Sequence, residues 1–214
     1  MKVNEVIRMD LEEIKAAVSG HQQECILPEG THFTAVLIPL LERDSEPHIL
    51  FEVRSANVAQ AGEISFPGGH LEAGESAQDA AARETCEELL LDPWQVQVLA
   101  PMHRMTDRGK LVIDSFLGVL HDYKGSFLPD EVSSIFTVPL AWFFENEPEI
   151  YPAEMVVNTP EDFPYELIPG GRSYRFFRFP KQFYFYRVQG EIIWGITAEL
   201  LYHAVRQLKG GKHS

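Results

Sequence analysis

The chain has 214 residues, 45% of them hydrophobic and 23% charged, enough apolar surface for one packed core. A formal net charge of −14 excludes a nucleic-acid polymer or an anionic membrane as the main partner, because both select basic surface. Two cysteines, Cys25 and Cys86, exclude a disulfide scaffold and a zinc cluster, and no apolar run approaches the roughly 20 residues of a membrane span.

The N-terminal stretch is amphipathic and acidic, unlike a secretory leader, which predicts a cytoplasmic protein. Val6, Ile7, Leu11, Ile14 and Val18 are spaced to give a helix over 3–18 with one buried stripe, part of an N-terminal helical extension covering 1–30. A single domain is expected over 31–208. Thr31 to Leu41 and His48 to Arg54 read as strands joined by a charged turn. A loop of small and polar residues, Ser55 to Gly62, then leads through Phe66-Pro67 to Gly68-Gly69.

From Ala77 to Leu89 the residues are helix formers, with Ser76 as N-cap and Asp79 positioned to complete an acidic capping box. Glu84, Glu87 and Glu88 share one face of this helix at about 100° of rotation per residue. Like charges so close weaken a helix and disfavour one another's ionised forms. A hard cation with oxygen ligands would turn that repulsion into binding, whereas a solvated acidic face is the plainer alternative.

Asp92-Pro93 stops the helix, and Val96 to Met105 with Leu111 to Leu120 reads as a hairpin around Thr106 to Lys110. Pro129-Asp130-Glu131 precedes a strand at Ser134 to Val138, and a short aromatic helix follows near Ala141 to Phe144. The acidic segment Glu145 to Asp162, with Pro148, Pro152 and Pro160, is expected to be largely irregular. Strand character returns at Tyr174 to Phe179 and Phe183 to Val188, a last helix runs from Ile193 to Leu208, and 209–214 reads as a disordered tail. Strands on both sides of the central helix indicate an α/β fold with mixed pairing.

The spacing Gly69, Glu75, Arg83-Glu84, Glu87-Glu88 resembles the Nudix box, G-x5-E-x7-R-E-U-x-E-E-x-G-U, with U aliphatic. Thr85 stands where an aliphatic residue is usual, and Leu90 replaces the glycine that would end the helix. The resemblance implies an α/β/α sandwich around a mixed β-sheet, with the box as a loop–helix–loop. It also implies hydrolysis of a nucleoside diphosphate linked to another moiety, a small-molecule substrate. Glu84, Glu88 and Glu87 would hold Mg2+ or Mn2+, Glu87 also counting with Glu131 among the catalytic groups. Glu131 is the candidate general base, although a solvated turn is an equal alternative at that position. Gly69, Glu75 and Arg83 would be structural, Glu75 and Arg83 pairing to hold the loop to the helix.

Upstream, Leu50, Arg54, Ser55, Gly62 and Phe66 to Gly69 resemble the signature of the coenzyme A diphosphatase branch, L-L-T-x-R-S-x3-R-x3-G-x3-F-P-G-G. This implies coenzyme A or an acyl derivative as substrate, with Arg54, Phe66 and Gly69 in contact with it. The signature's second arginine is absent, and the loop is one residue short. ADP-ribose, a dinucleotide or a nucleotide sugar therefore stays open as substrate, and a non-catalytic nucleotide-binding module is a further alternative. Arg172 and Arg175, in a stretch between Leu167 and Gly190 that has no acidic residue, are candidate phosphate contacts. Solvent-facing arginines on a strand are the plainer reading of that stretch. A homodimer stays open as the assembly.

Overall fold

The computed structural model describes residues 10–21, 25–107 and 110–210. Helix α1 (Leu11–Val18) is closed by its own capping box, in which Asp10 and Glu13 exchange backbone-to-carboxylate hydrogen bonds of 2.9 and 2.8 Å. The expected buried stripe is not observed. Leu11, Ile14 and Val18 are all exposed, so local capping rather than packing holds this helix; Val6 and Ile7 lie outside the described residues.

Strands β1 (His32–Arg43) and β2 (Glu46–Arg54) form a hairpin. Asp44 and Ser45 both take positive φ, which gives the two-residue turn a twist that matches the strands. Beyond Leu40 and Ile49 the two strands diverge. The short strands β3 (Ile64–Ser65) and β4 (Gly68–His70) fill the wedge, β3 pairing with β2 and β4 with β1. The Leu37 N–H closes it by donating to the Pro67 carbonyl at 2.9 Å. Helix α2 (Ala77–Leu89) follows, then the predicted hairpin of β5 (Val96–Asp107) and β6 (Leu111–Leu120), and β7 (Val132–Pro139) beside β2. Because β6 runs parallel to β1 while the other pairs are antiparallel, the sheet is mixed.

Strand alternation divides the core into two layers. Ala35, Leu37 and Leu41 of β1 join Leu50, Phe116 and Leu120 against Ala80, Ala81 and Leu89 of α2. On the opposite face, Ile38, Ile49, Phe51, Ile113 and Val138 pack under α3 (Leu140–Glu145) and α4 (Gly195–Gly210). The result is the expected α/β/α sandwich.

Three expectations are corrected on this second face. The segment 145–162 is not wholly irregular: Glu149–Val156 forms β8, tolerating Pro152 because it is an edge strand. The two expected aromatic strands are one, β9 (Arg178–Val188), whereas 174–177 is irregular. Residues Glu191–Trp194 are β10, hydrogen-bonded to β9 across the positive-φ pair Gln189-Gly190, so the last helix begins at Gly195 and runs on through Lys209 and Gly210. Of the expected tail, 211–214 lies outside the described residues.

At the end of α2, Leu90 adopts φ 53° and ψ 53°, the left-handed conformation the box normally gives to glycine. The helix ends where the motif would end it, at a steric cost of about 1 kcal/mol for a side chain in this region. Leu90 is also 54% exposed, so its side chain returns little of that cost. Leu90→Gly is expected to raise stability by about 0.5–1 kcal/mol in urea unfolding; an unchanged or lower midpoint would show that the side chain earns its place.

Candidate active site

The site begins where the wedge meets the box helix. A Cβ at Gly68 would collide with the Ala35 carbonyl and Val36, and one at Gly69 would collide with the Glu84 carboxylate. Gly68 therefore requires glycine, for its backbone contact and its positive φ, whereas a side chain at Gly69 would displace the Glu84 carboxylate. With no side chains in the way, the Gly68 N–H donates to Glu88 Oε2 at 2.8 Å, seating that carboxylate against the sheet.

Ser76 caps the helix as expected, its hydroxyl oxygen accepting from the Asp79 N–H. Asp79 does not complete the box; its carboxylate instead accepts from the Ser76 hydroxyl at 2.7 Å. Thr85, fully buried, turns its hydroxyl back to the Ala81 carbonyl at 2.6 Å, which lets a polar residue occupy an apolar position.

Arg83 organises the loop. Its Nε and Nη2 donate to Glu75 at 2.9 and 3.1 Å, and Nη2 also reaches the His70 carbonyl at 3.1 Å. The same guanidinium holds Glu84 at 3.0 Å and Glu87 at 3.2 Å through Nη1. The hydrogen bond from Arg83 is the main reason the Glu75 carboxyl lies below its ordinary pKa. One cation thus faces three carboxylates.

Glu88, 5% exposed, sits beside Glu84 and Glu131. Burial, then these neighbours, push its carboxyl up to about 8. Glu84 is raised chiefly by burial, against the pull of Arg83. Glu52 of β2, which the sequence reading passed over, is 1% exposed and raised well above the carboxylate range by burial and by Glu88. Its signal in the sequence was a glutamate inside the apolar run Ile49 to Val53.

Glu131 is exposed and stands at the mouth of this group. Its loop is tied down twice: the Leu128 N–H donates to the Glu88 carbonyl at 2.7 Å, and the Ser55 N–H to the Glu131 carbonyl at 2.8 Å. Glu84, Glu88 and Glu131 are thereby brought together, with Glu87 on the solvent side.

Among the described residues, no three His, Cys, Asp or Glu side chains stand in metal-ligating geometry. Arg83 draws Glu84 and Glu87 toward itself, which accounts for the spread. The donor set nonetheless fits a hard divalent cation. It is all oxygen, its charges repel one another, and the buried Glu52 Oε1 has no hydrogen-bond partner among the described residues.

A cleft of about 550 Å3 opens from Gly68 and Gly69 toward the second sheet, walled by Arg54, Phe66, Lys181, Phe183 and Trp194. Arg54 enters through its own anchor, Nε to the Ala59 carbonyl at 2.8 Å. Phe66 stacks on Phe51 at 5.3 Å and gives the cleft an apolar wall. Arg172 and Arg175 do not line it, and Arg172 instead covers the Tyr165 ring at 5.0 Å.

The buried carboxylates set a sign for pH dependence. Glu88 keeps a proton in the folded metal-free protein that the unfolded chain loses near its ordinary pKa of 4.5. The folded state therefore binds more protons between these values, and stability falls as pH rises from about 4.5 to about 8. Metal-free protein is expected to show a falling Tm across this window, and Glu88→Gln to flatten the slope. A Tm that rises with pH would mean the carboxylates are not desolvated.

A model of the NUDIX domain matches residues 31–157. A mouse (Mus musculus) protein named peroxisomal coenzyme A diphosphatase NUDT7 is 32% identical over 132 residues, which are 60% of this chain but only 55% of the mouse protein. A Nudix hydrolase NudL of Photorhabdus laumondii, described as uncharacterized, is 28% identical over 188 residues, covering 86% of this chain and 88% of its own. Among solved structures, a Caenorhabditis elegans Ap4A hydrolase in binary complex overlaps 54% of this chain and 85% of its own at 20% identity and TM-score 0.45. A MutT/nudix family protein from Enterococcus faecalis overlaps 94% of this chain and 70% of its own at 15% identity and TM-score 0.49. The family match spans more than half of the chain and contains the whole box, so the chain belongs to the NUDIX family and is a hydrolase of nucleoside diphosphate-linked substrates.

Proposed function

We propose that the chain hydrolyses coenzyme A or an acyl-coenzyme A to 3′,5′-ADP and a 4′-phosphopantetheine product. The observation carrying this reading is the cleft. It joins the box glycines to an apolar wall long enough for an extended substrate, behind residues that keep most of the coenzyme A signature. The name of the mouse relative supports the same substrate class.

In this reading Glu84, Glu88 and Glu87 hold Mg2+ or Mn2+, which supplies neutralisation of the diphosphate's charge and a water of lowered pKa. Glu131 accepts the proton of the attacking water. The water oxygen bonds to phosphorus, and the bond to the bridging oxygen breaks, leaving one phosphate on each product: 3′,5′-ADP and the 4′-phosphopantetheine. Gly69 lets the diphosphate approach the backbone, Phe66 offers its edge to the organic portion, and Arg54 pairs with a phosphate oxygen. Arg172 and Arg175, which stand away from the cleft, take no part in this reading. The cytoplasm is the proposed compartment.

A second reading has its own observation. Lys181 and Arg54 face Glu63, Asp107, Glu154 and Glu199 around the cleft. Lys181 is already held by Glu199 at 2.8 Å and lies 3.8 Å from Asp107. Cleft walls so acidic favour a substrate without a 3′-phosphate, such as ADP-ribose or a dinucleotide.

Chromatographic quantitation of the products, with coenzyme A, ADP-ribose, NADH and a diadenosine polyphosphate as substrates, decides between them. Coenzyme A is expected to give the highest kcat/KM with Mg2+ or Mn2+; preference for ADP-ribose or NADH would replace the first reading by the second. Glu88→Gln is expected to lower kcat at least a hundredfold on whichever substrate wins, with circular dichroism unchanged. Near-normal turnover by that variant would overturn the role of the box carboxylates.

A further inference from the structure

Glu52 is costly where it stands. An ionisable side chain in a central strand, 1% exposed, normally brings a partner, because burying an unpaired carboxylate is among the most expensive substitutions a core can carry. Its Oε1 has no hydrogen-bond partner among the described residues.

The surroundings of Glu52 give its direction. Residues two apart on a strand share a face, and Leu50 belongs to the core layer beneath α2. Glu52 therefore faces the box helix, and Glu88 is the charge that acts on it most strongly. Directly across the ladder, Glu52 pairs with Ser65 of β3. Opposed residues in an antiparallel pair present their side chains on the same side, with Cβ atoms about 5 Å apart. The Ser65 hydroxyl is likewise buried and unpartnered among the described residues. Two orphaned oxygens thus oppose one another beside the carboxylate that the Gly68 N–H holds in place.

We propose that Glu52, with the Ser65 hydroxyl, forms an oxygen-ligand position for a divalent cation on the sheet side of Glu88, supplementing the box. It rests on the reading that the box binds metal. A hard cation accepts carboxylate and hydroxyl oxygens together, and its charge satisfies what no donor among the described residues does. The position lies within the fold, on the α2 side of the sheet, rather than on the exposed helix face where Glu87 sits.

Isothermal titration of the full-length, metal-free protein with Mn2+ alone tests this, alongside Tm measured with and without the ion. Glu52→Gln is expected to weaken Mn2+ binding at least tenfold while raising the metal-free Tm at alkaline pH, because an amide cannot ionise in that buried position. Ser65→Ala is expected to weaken binding severalfold. Should Glu52→Gln fail to fold, Glu52→Thr carries the same expectation. A Glu52 variant whose Mn2+ Kd stays within twofold of the parent, when Glu88→Gln has lost binding, overturns this position and leaves the box reading intact. Loss in neither variant overturns both.

Discussion

The structure depends on how closely one helix can approach bare backbone. Gly68 and Gly69 present no side chains, so Glu88 and Glu84 lie against β4 rather than in solvent. Desolvation and mutual repulsion then work in the same direction, and each disfavours the charged form. Arg83 answers only part of this, since it is shared with Glu75 and Glu87. An exposed ion pair is worth no more than about 1 kcal/mol, less than the several kcal/mol that an effectively buried charge costs. The repulsion left over is what a bound cation would relieve in the proposed function.

Most of the core machinery was legible because it is local. The box fixes which residues share a helix face by spacing alone, and α2 occupies Ala77–Leu89 as read. The partnership of Glu75 and Arg83 follows the resemblance in the same way. Long-range features were less visible. Glu52 looks like an oddity in an apolar strand until the pairing with β3 and the packing of α2 place it behind Glu88. The β3–β4 wedge is made of two very short strands, whose residues carry no alternation a reader of sequence could detect.

The second sheet shows a different limit. Prolines at 148, 152 and 160 argue for irregular chain, and they do so correctly for a strand paired on both sides. Among the described residues β8 is paired only with β9, so Pro152 has no second ladder to disrupt. The basic stretch around 172–187 is similarly read differently once pairing is known. Arg178 and Arg187 each reach across to a glutamate of β8, at 2.9 and 2.8 Å, so acids distant in sequence neutralise the cations that sequence alone leaves unmatched.

The parallel pairing of β1 with β6 has a kinetic side. His32 through Leu40 align with Leu111 through Val119, so the box, the wedge and β5 are all enclosed within one long chain closure. Contacts of such sequence separation form slowly, since the entropy of closing the loop is lost before the sheet rewards it. The helix of the box can form early on local preference, yet its carboxylates meet no glycine backbone until β4 has docked on β1. During that interval the three glutamates remain hydrated and repel one another without strain. The energetic conflict that defines the site therefore requires β4 docked on β1, and an isolated box helix would lack it.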